Sequence, residues 1–333
     1  MNLVRGDLGS TTRMVTNLER LAASRKDATS NLALNAMLGA WAFFRGDYGK
    51  ASRHCLNAAQ DWDKQRPKAQ HEGLVQEHGF EGLLYPALYL AWARIMMGDP
   101  DAAAAAEAEA VSMAAQIEDP YLSVGLNTFR ALFRHDLGDL EAAGAIAEQA
   151  RMVAHEHGFV HWLGIAIVQS GNGFSAKGDP AEAVRVMEEG LALLRGVGDR
   201  LVYVYYLTYL AEPLIASGQA ARAKEVVQEG LALTRTQLTR FCEPEFLRLL
   251  GEAELALGDV NAARENLRAA LDLARSQGAR LFELRSAMSL ARLLRSSGEV
   301  AAARALLTQA RASFPEHVDF PHLRQADALL QEA

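Results

Sequence analysis

Along this chain the small and apolar positions keep fixed distances from a series of glycine turns. The turns are Gly98-Asp99, Gly138-Asp139, Gly178-Asp179, Gly218-Gln219, Gly258-Asp259 and Gly298-Glu299, and consecutive glycines stand 40 residues apart. Gly46-Asp47 is a further turn 52 residues before Gly98, so the first unit carries an insertion. Five residues after each glycine stands an alanine: Ala51, Ala103, Ala143, Ala183, Ala223, Ala263 and Ala303. Twelve after come Ala58, Ala110, Ala150, Gly190, Gly230, Ala270 and Ala310; seven before come Gly39, Ala91, Ala131, Gly171, Ala211, Gly251 and Ala291.

Helix packing explains the ruler. Two helices joined by a tight turn approach closely only where side chains are small. Offsets of five and twelve lie two turns apart on one helix face. The turn glycine ends the first helix by taking a left-handed conformation, and the following Asp can cap the second. Pro100 and Pro180 sit at the first helical position, where a missing N–H costs little. A second hinge falls at Gly158, Gly198 and Gly278, so each unit reads helix A, turn, helix B, turn. No segment shows strand alternation bounded by turns. The pattern predicts an all-α, right-handed superhelical solenoid of about seven helix-turn-helix repeats, each burying its face against its neighbours. Its expected parts are an N-terminal helical cap over 9–28 and a first repeat with its insertion over 29–80. Repeats follow over 80–118, 119–158, 159–198, 199–238, 239–278 and 279–315, then a C-terminal capping helix over 316–333.

Composition narrows the function. Half of the 333 residues are apolar, enough for a large core, and the net charge of -7 offers no basic face for nucleic acid. Cys55 and Cys242 stand far apart in apolar helical surroundings and read as buried thiols; no C-x-x-C is present. The first residues lack the apolar stretch of a signal peptide, and no apolar run is long enough to cross a membrane. The expected compartment is the cytoplasm, with neither membrane nor nucleic acid as a partner.

Two stretches invite chemistry. Gly171-Asn172-Gly173-Phe174-Ser175-Ala176 spells G-x-G-x-x-A after an apolar run, with Glu188 and Glu189 downstream, as in a dinucleotide-binding turn. That turn needs its glycines between strand and helix. Here Gly171 holds the slot of Gly39 and Gly251 inside helix A, so it reads as a packing glycine. His155, His157 and His161 form H-x-H-x-x-x-H, but Gly158 divides them between two helices and their side chains need not converge. There is no G-x-S-x-G elbow and no G-x-x-x-x-G-K-[ST] phosphate loop. The expectation is no cofactor, no metal and no catalytic residue.

The small residue, Gly turn, Ala, and small residue seven later resemble the tetratricopeptide repeat in its longer form. The segment CEPEFLRLLGEAELALGDVNAARENLRAALDLARSQGARLFELRSAMSLARLLRSSGEVAAARALL is similar to the C-terminal helical region of large bacterial regulators. These join a class III adenylate/guanylate cyclase or a LuxR-type DNA-binding module to a STAND-type AAA ATPase and then to such repeats. Neither the cyclase nor the ATPase is present here, so their activities are not implied for this chain. The resemblance implies a non-catalytic module that binds a protein or peptide, with an ATPase or cyclase module among the candidate partners. A receptor for a small-molecule inducer is the alternative.

In tetratricopeptide arrays the A helices line the concave face. Carried over by register, that face would hold Tyr85 and Trp92, then His135, Asn172, Tyr205 and Glu212. Glu245, Arg248 and Glu252 follow in the sixth unit, and Arg285, Arg292 and Arg295 in the seventh. Aromatics toward one end and arginines toward the other would suit a peptide with an acidic segment.

Overall fold

The computed structural model describes residues 15–17, 20, 28–61, 81–115, 119–237 and 239–332. Most of the expected cap over 9–28 and the insertion over 62–80 lie outside these residues, although Val15–Asn17 are helical. Among the described residues, all regular structure is helical. The helices are α1 (Ala28–Phe44), α2 (Tyr48–Asp61), α3 (Glu81–Met96), α4 (Pro100–Ala115), α5 (Pro120–Asp136), α6 (Leu140–Glu156), α7 (Val160–Ala176) and α8 (Pro180–Gly196). They continue with α9 (Leu201–Ala216), α10 (Ala220–Gln237), α11 (Glu243–Ala256), α12 (Val260–Gln277), α13 (Arg280–Ser296), α14 (Val300–Arg311) and α15 (Pro321–Glu332).

Local chemistry sets the helix ends. Gly138, Gly178 and Gly258 take φ of 90°, 77° and 89°, where a side chain would be strained. The Asp after each then accepts a backbone N–H of the next helix: Asp139 from Ala142 at 3.1 Å, Asp179 from Glu182 at 3.1 Å and Asp259 from Ala262 at 3.0 Å. Asp119 caps α5 by accepting from Tyr121 and Leu122 at 2.7 and 3.2 Å.

Consecutive helices pair as hairpins, and the odd-numbered ones also touch each other from unit to unit, so they form an inner layer. The outer helices are amphipathic. In α12 the buried residues are Ala263, Leu267, Ala270, Leu271 and Ala274, one stripe, whereas α9 is buried almost all round from Leu201 to Leu214. A helix enclosed on every side has neighbours on every side. The superhelix also meets itself. Gln277 packs at Gly46, Arg280 and Phe314 at Gly98, and His322 at Gly138. The His322 N–H donates to the Leu137 carbonyl at 3.3 Å, and α13 touches α3. The later turn glycines, Gly178, Gly218, Gly258 and Gly298, have no such cover among the described residues.

Glycine and alanine set the spacing within the hairpins. Ala51, Ala143, Ala183, Ala223, Ala263 and Ala303 are fully buried, and Ala103 nearly so. Gly171 lies inside α7, where a methyl would stand 2.6 Å from Met187 Cγ and 3.3 Å from the Ala183 carbonyl. The GNGFSA stretch is therefore helix in contact with helix.

Candidate functional site

The inner helices bring three groups of side chains to the superhelix axis. The first centres on Asp136, the last residue of α5, which is fully buried. Its carboxylate accepts from Trp92 Nε1 of α3 at 2.8 Å and from the Tyr205 hydroxyl of α9 at 2.5 Å. Helices from three units are thus tied to one carboxyl group. Burial pushes the Asp136 pKa up to about 7, against the pull of Tyr205, Arg285 and Trp92.

The second group is His135 with Asn172. His135 Nδ1 lies 3.1 Å from Asn172 Oδ1, and its ring stacks on Tyr209 with centroids 3.6 Å apart. Burial, aided by Arg285, lowers the His135 pKa to about 3, so the ring is neutral. The Asn172 Nδ2 and the Tyr209 hydroxyl are buried and have no partner among the described residues. Neighbouring Gln169 Nε2 bridges the Thr128 carbonyl and the Tyr206 hydroxyl, both at 2.8 Å.

The third group is ionic. Arg248 donates to Glu245 at 3.0 and 3.1 Å through Nε, to Glu252 at 2.7 Å and to Glu212 at 2.7 Å. Arg285 reaches Glu212 and lies 3.0 Å from Glu245, while the Ser289 hydroxyl donates to Glu252 at 2.6 Å. Burial alone would push Glu245 up; Arg248 and Arg285 outweigh it and hold it at about 2. Around the axis the carboxylates of Asp136, Glu212, Glu245 and Glu252 outnumber the two guanidiniums. Glu245 adds to the rise at Asp136. His322, at the edge of this region, has both ring nitrogens buried with no partner among the described residues, and burial with Arg285 and Arg248 drives its pKa down.

The residues expected on a concave face therefore separate into two sets. Trp92, His135, Asn172, Tyr205, Glu245, Arg248 and Arg285 converge on the axis, but each is at most 5 % exposed. Glu212 and Glu252 stand at its edge with about a third of their side chains in solvent (30 % and 27 %). Tyr85 instead packs half-buried against Phe129 and Trp162. Arg292 is exposed, and Arg295 pairs with Glu332 at 2.9 Å. Arg285, Arg292 and Arg295 thus present no common cationic stripe: α13 turns Arg285 inward, and α15 takes Arg295. Arg292 and Arg295 line an open cleft of about 580 Å³ with Ser296, Val300, Leu329 and Glu332.

Several central residues escaped the sequence reading, above all Asp136. A signal was there: two positions before each turn glycine the chain has Phe44, Met96, Ala176, Ala216, Ala256 and Ser296, and Asp136 is the charged residue in that slot. His161 pairs with Asp199 at 3.4 Å, and His157 stacks on Phe159, so these two rings have separate partners. Among the described residues, no three His, Cys, Asp or Glu side chains are grouped to hold a metal ion, and no helix is long and apolar enough to cross a membrane.

A family model of the tetratricopeptide repeat matches residues 244–316. No curated protein matches the chain in sequence. Among solved structures, the chain is similar to a Rap protein complexed with competence and sporulation factor, at 15% identity and a TM-score of 0.66, over 96% of this chain and 80% of that one. It is also similar to the Rap conjugation gene regulator of plasmid pLS20 in complex with the Phr* peptide, at 14% identity and a TM-score of 0.63, over 91% and 75%. Aspartyl phosphate phosphatase F from Bacillus subtilis aligns at 12% identity with a TM-score of 0.57, over 86% and 70%. At such identities the likeness is one of fold, and with the repeat match it describes a tetratricopeptide-like superhelical solenoid.

Proposed function

We propose that the chain is a non-catalytic tetratricopeptide interaction module that binds an extended peptide, or a segment of a partner domain, along its superhelix axis. The supporting observation is the axis lining. Glu212, Glu245, Arg248, Glu252 and Arg285 form a charged network there, and beside it Asn172 and Tyr209 keep polar atoms with no partner among the described residues. An interior that only had to pack would gain from apolar residues in these places. Charged and amide groups facing an axis suit a ligand with its own main-chain and polar groups. One Rap protein of similar fold holds the Phr* peptide.

The finer reading is that the module is the cytoplasmic sensor or scaffold arm of a bacterial signal-transduction or transcription regulator, docking on a STAND-type ATPase. It rests on the sequence likeness of residues 240–310. Selection of a displayed random-peptide library on the immobilised chain tests the binding role. The expected result is one enriched sequence family whose synthetic peptide binds stoichiometrically and weakens at least tenfold with Glu212→Gln. No enrichment, or binding indifferent to Glu212→Gln but lost with the outer-surface change Arg185→Gln, would overturn it.

A further inference from the structure

The connector between α10 and α11 differs from those that follow α6, α8 and α12. Where Gly158, Gly198 and Gly278 reverse the chain with φ of 69°, 74° and 66°, this unit has Leu238. Inner helices α7, α9 and α13 start two or three residues past their glycine, at Val160, Leu201 and Arg280. Helix α11 starts only at Glu243 and has 14 residues where α7 and α13 have 17. The residues freed from the helix, Thr239 to Cys242, reach across the axis to the first unit.

Phe241 leads that crossing and is 1 % exposed. Its ring lies 5.4 Å from Phe43, 5.2 Å from Phe44, 5.6 Å from Trp92 and 5.3 Å from Tyr205, centroid to centroid. Phe44 and Trp92 meet it nearly edge-on, at 85° and 80°; Phe43 and Tyr205 are tilted. Its N–H donates to the Phe44 carbonyl at 3.2 Å, and its carbonyl accepts from the Tyr48 hydroxyl, 193 residues away in sequence, at 2.7 Å. Gln277 Nε2 holds the preceding carbonyl, that of Arg240, at 2.9 Å. One residue thus has its ring in an aromatic cage and both main-chain groups paired by a distant element. Peptide ligands are held by the same division of labour, main chain for affinity and side-chain pocket for selectivity.

We propose that this cage, with the Phe44 carbonyl and Tyr48 hydroxyl at its rim, is a subsite for an aromatic residue of the partner peptide, and that Phe241 is its built-in occupant in the free chain. The inference rests on the peptide-binding reading above. The ligand class is an extended segment carrying Phe, Tyr or Trp, because edge-on and tilted rings offer quadrupole contacts that an aliphatic side chain lacks. Entry of the ligand ring displaces Phe241 and releases 239–242 from the first unit. The internal occupant lowers the apparent affinity in proportion to the fraction of chains with the cage vacant.

The test replaces Thr239→Gly, Arg240→Gly and Phe241→Gly together, which removes the ring and frees the connector's main chain. The probe is N-acetyl-L-phenylalaninamide, one ring flanked by an amide N–H and a carbonyl. It should raise the melting temperature of the triple variant, as any ligand of the folded state does, and shift the wild type far less. N-acetyl-L-leucinamide and toluene should do less than the phenylalanine probe in the variant. No stabilisation, or equal stabilisation by toluene, would overturn the proposal, the second outcome marking a plain cavity. If the variant does not fold, the wild type is read instead by hydrogen exchange at the Phe241 amide. High millimolar phenylalanine probe should accelerate that exchange and leucinamide should not; an unchanged amide overturns the proposal. The probe needs no partner sequence, so its failure leaves the outcome of the peptide selection standing.

Discussion

Substituting Gly190 by alanine tests the packing argument where it is sharpest. Gly190 lies in α8, and a Cβ there would stand 2.6 Å from the Val168 main-chain nitrogen and 2.7 Å from the Gly164 carbonyl oxygen, both in α7. Neither atom can swing aside as a side chain can, so the two helices must move apart along their contact. Overpacking of this kind costs roughly 1–3 kcal/mol. Alanine in place of glycine also favours a helix by about 1 kcal/mol, which masks part of that cost. Gly196, at the end of the same helix, supplies the correction, because a Cβ there meets nothing within 4 Å. Gly196→Ala should be neutral or stabilising by up to ~1 kcal/mol. The quantity to measure is the difference between the two variants, expected at ~1–3 kcal/mol in favour of Gly196→Ala. Urea unfolding followed by circular dichroism reads it, provided the slopes agree. Equal midpoints for the two variants would refute the claim that this offset is small because backbones touch.

The axis makes two further predictions. Arg248→Met leaves Glu245 buried with Arg285 as its remaining partner and should cost ~3–5 kcal/mol; Arg295→Met, which loses a half-exposed pair with Glu332, should cost under ~1 kcal/mol in the same urea assay. The pH dependence is set by opposed groups. Asp136, raised to about 7, keeps a proton that the unfolded chain loses above about pH 4, so its contribution is complete at low pH and is lost as pH rises through about 7. His135, lowered to about 3, refuses a proton that the unfolded chain takes below about pH 6.5, so its contribution is complete above that and is lost as pH falls. Between about pH 4 and 6.5 the Asp136 slope opposes that of His135 and that of His322, which burial also drives down. Asp136→Asn should remove the opposing slope, so that stability rises with pH more steeply than in the wild type, by up to ~1.4 kcal/mol per unit. Urea midpoints across that window check it, and a slope equal to that of the wild type would contradict it.

The hairpin array was legible because its causes are local. A left-handed glycine, an Asp cap and a small residue at a fixed offset each act within one unit, so Gly178-Asp179-Pro180 and Gly171 announce their roles in the sequence. The winding was not legible. Small rotations between units accumulate until Gly138 meets His322 and Phe44 meets Phe241, and no local residue encodes that meeting. Register assigned Trp92, Tyr205, Arg248 and Arg285 to a concave face, and the structure has them on the inner helices α3, α9, α11 and α13. Register did not reveal that closure of the superhelix would bury them, nor that Asp136 would join Trp92 to Tyr205. The hinge slot at Leu238 lacks glycine, but so does the slot at Glu118, and the sequence does not say which connector lengthens; the one that carries Phe241 across the axis took three dimensions to appear.

The central claim is that partners bind along the axis, through inner helices that the free chain holds closed. Hydrogen exchange of the chain with and without a selected peptide tests it most directly. The account predicts slower exchange in α5, α7, α9 and α11, together with faster exchange at Phe241 and its neighbours in 239–242. Slower exchange confined to the outer helices α6, α8, α10 and α12, with the inner helices and Phe241 unchanged, would contradict it.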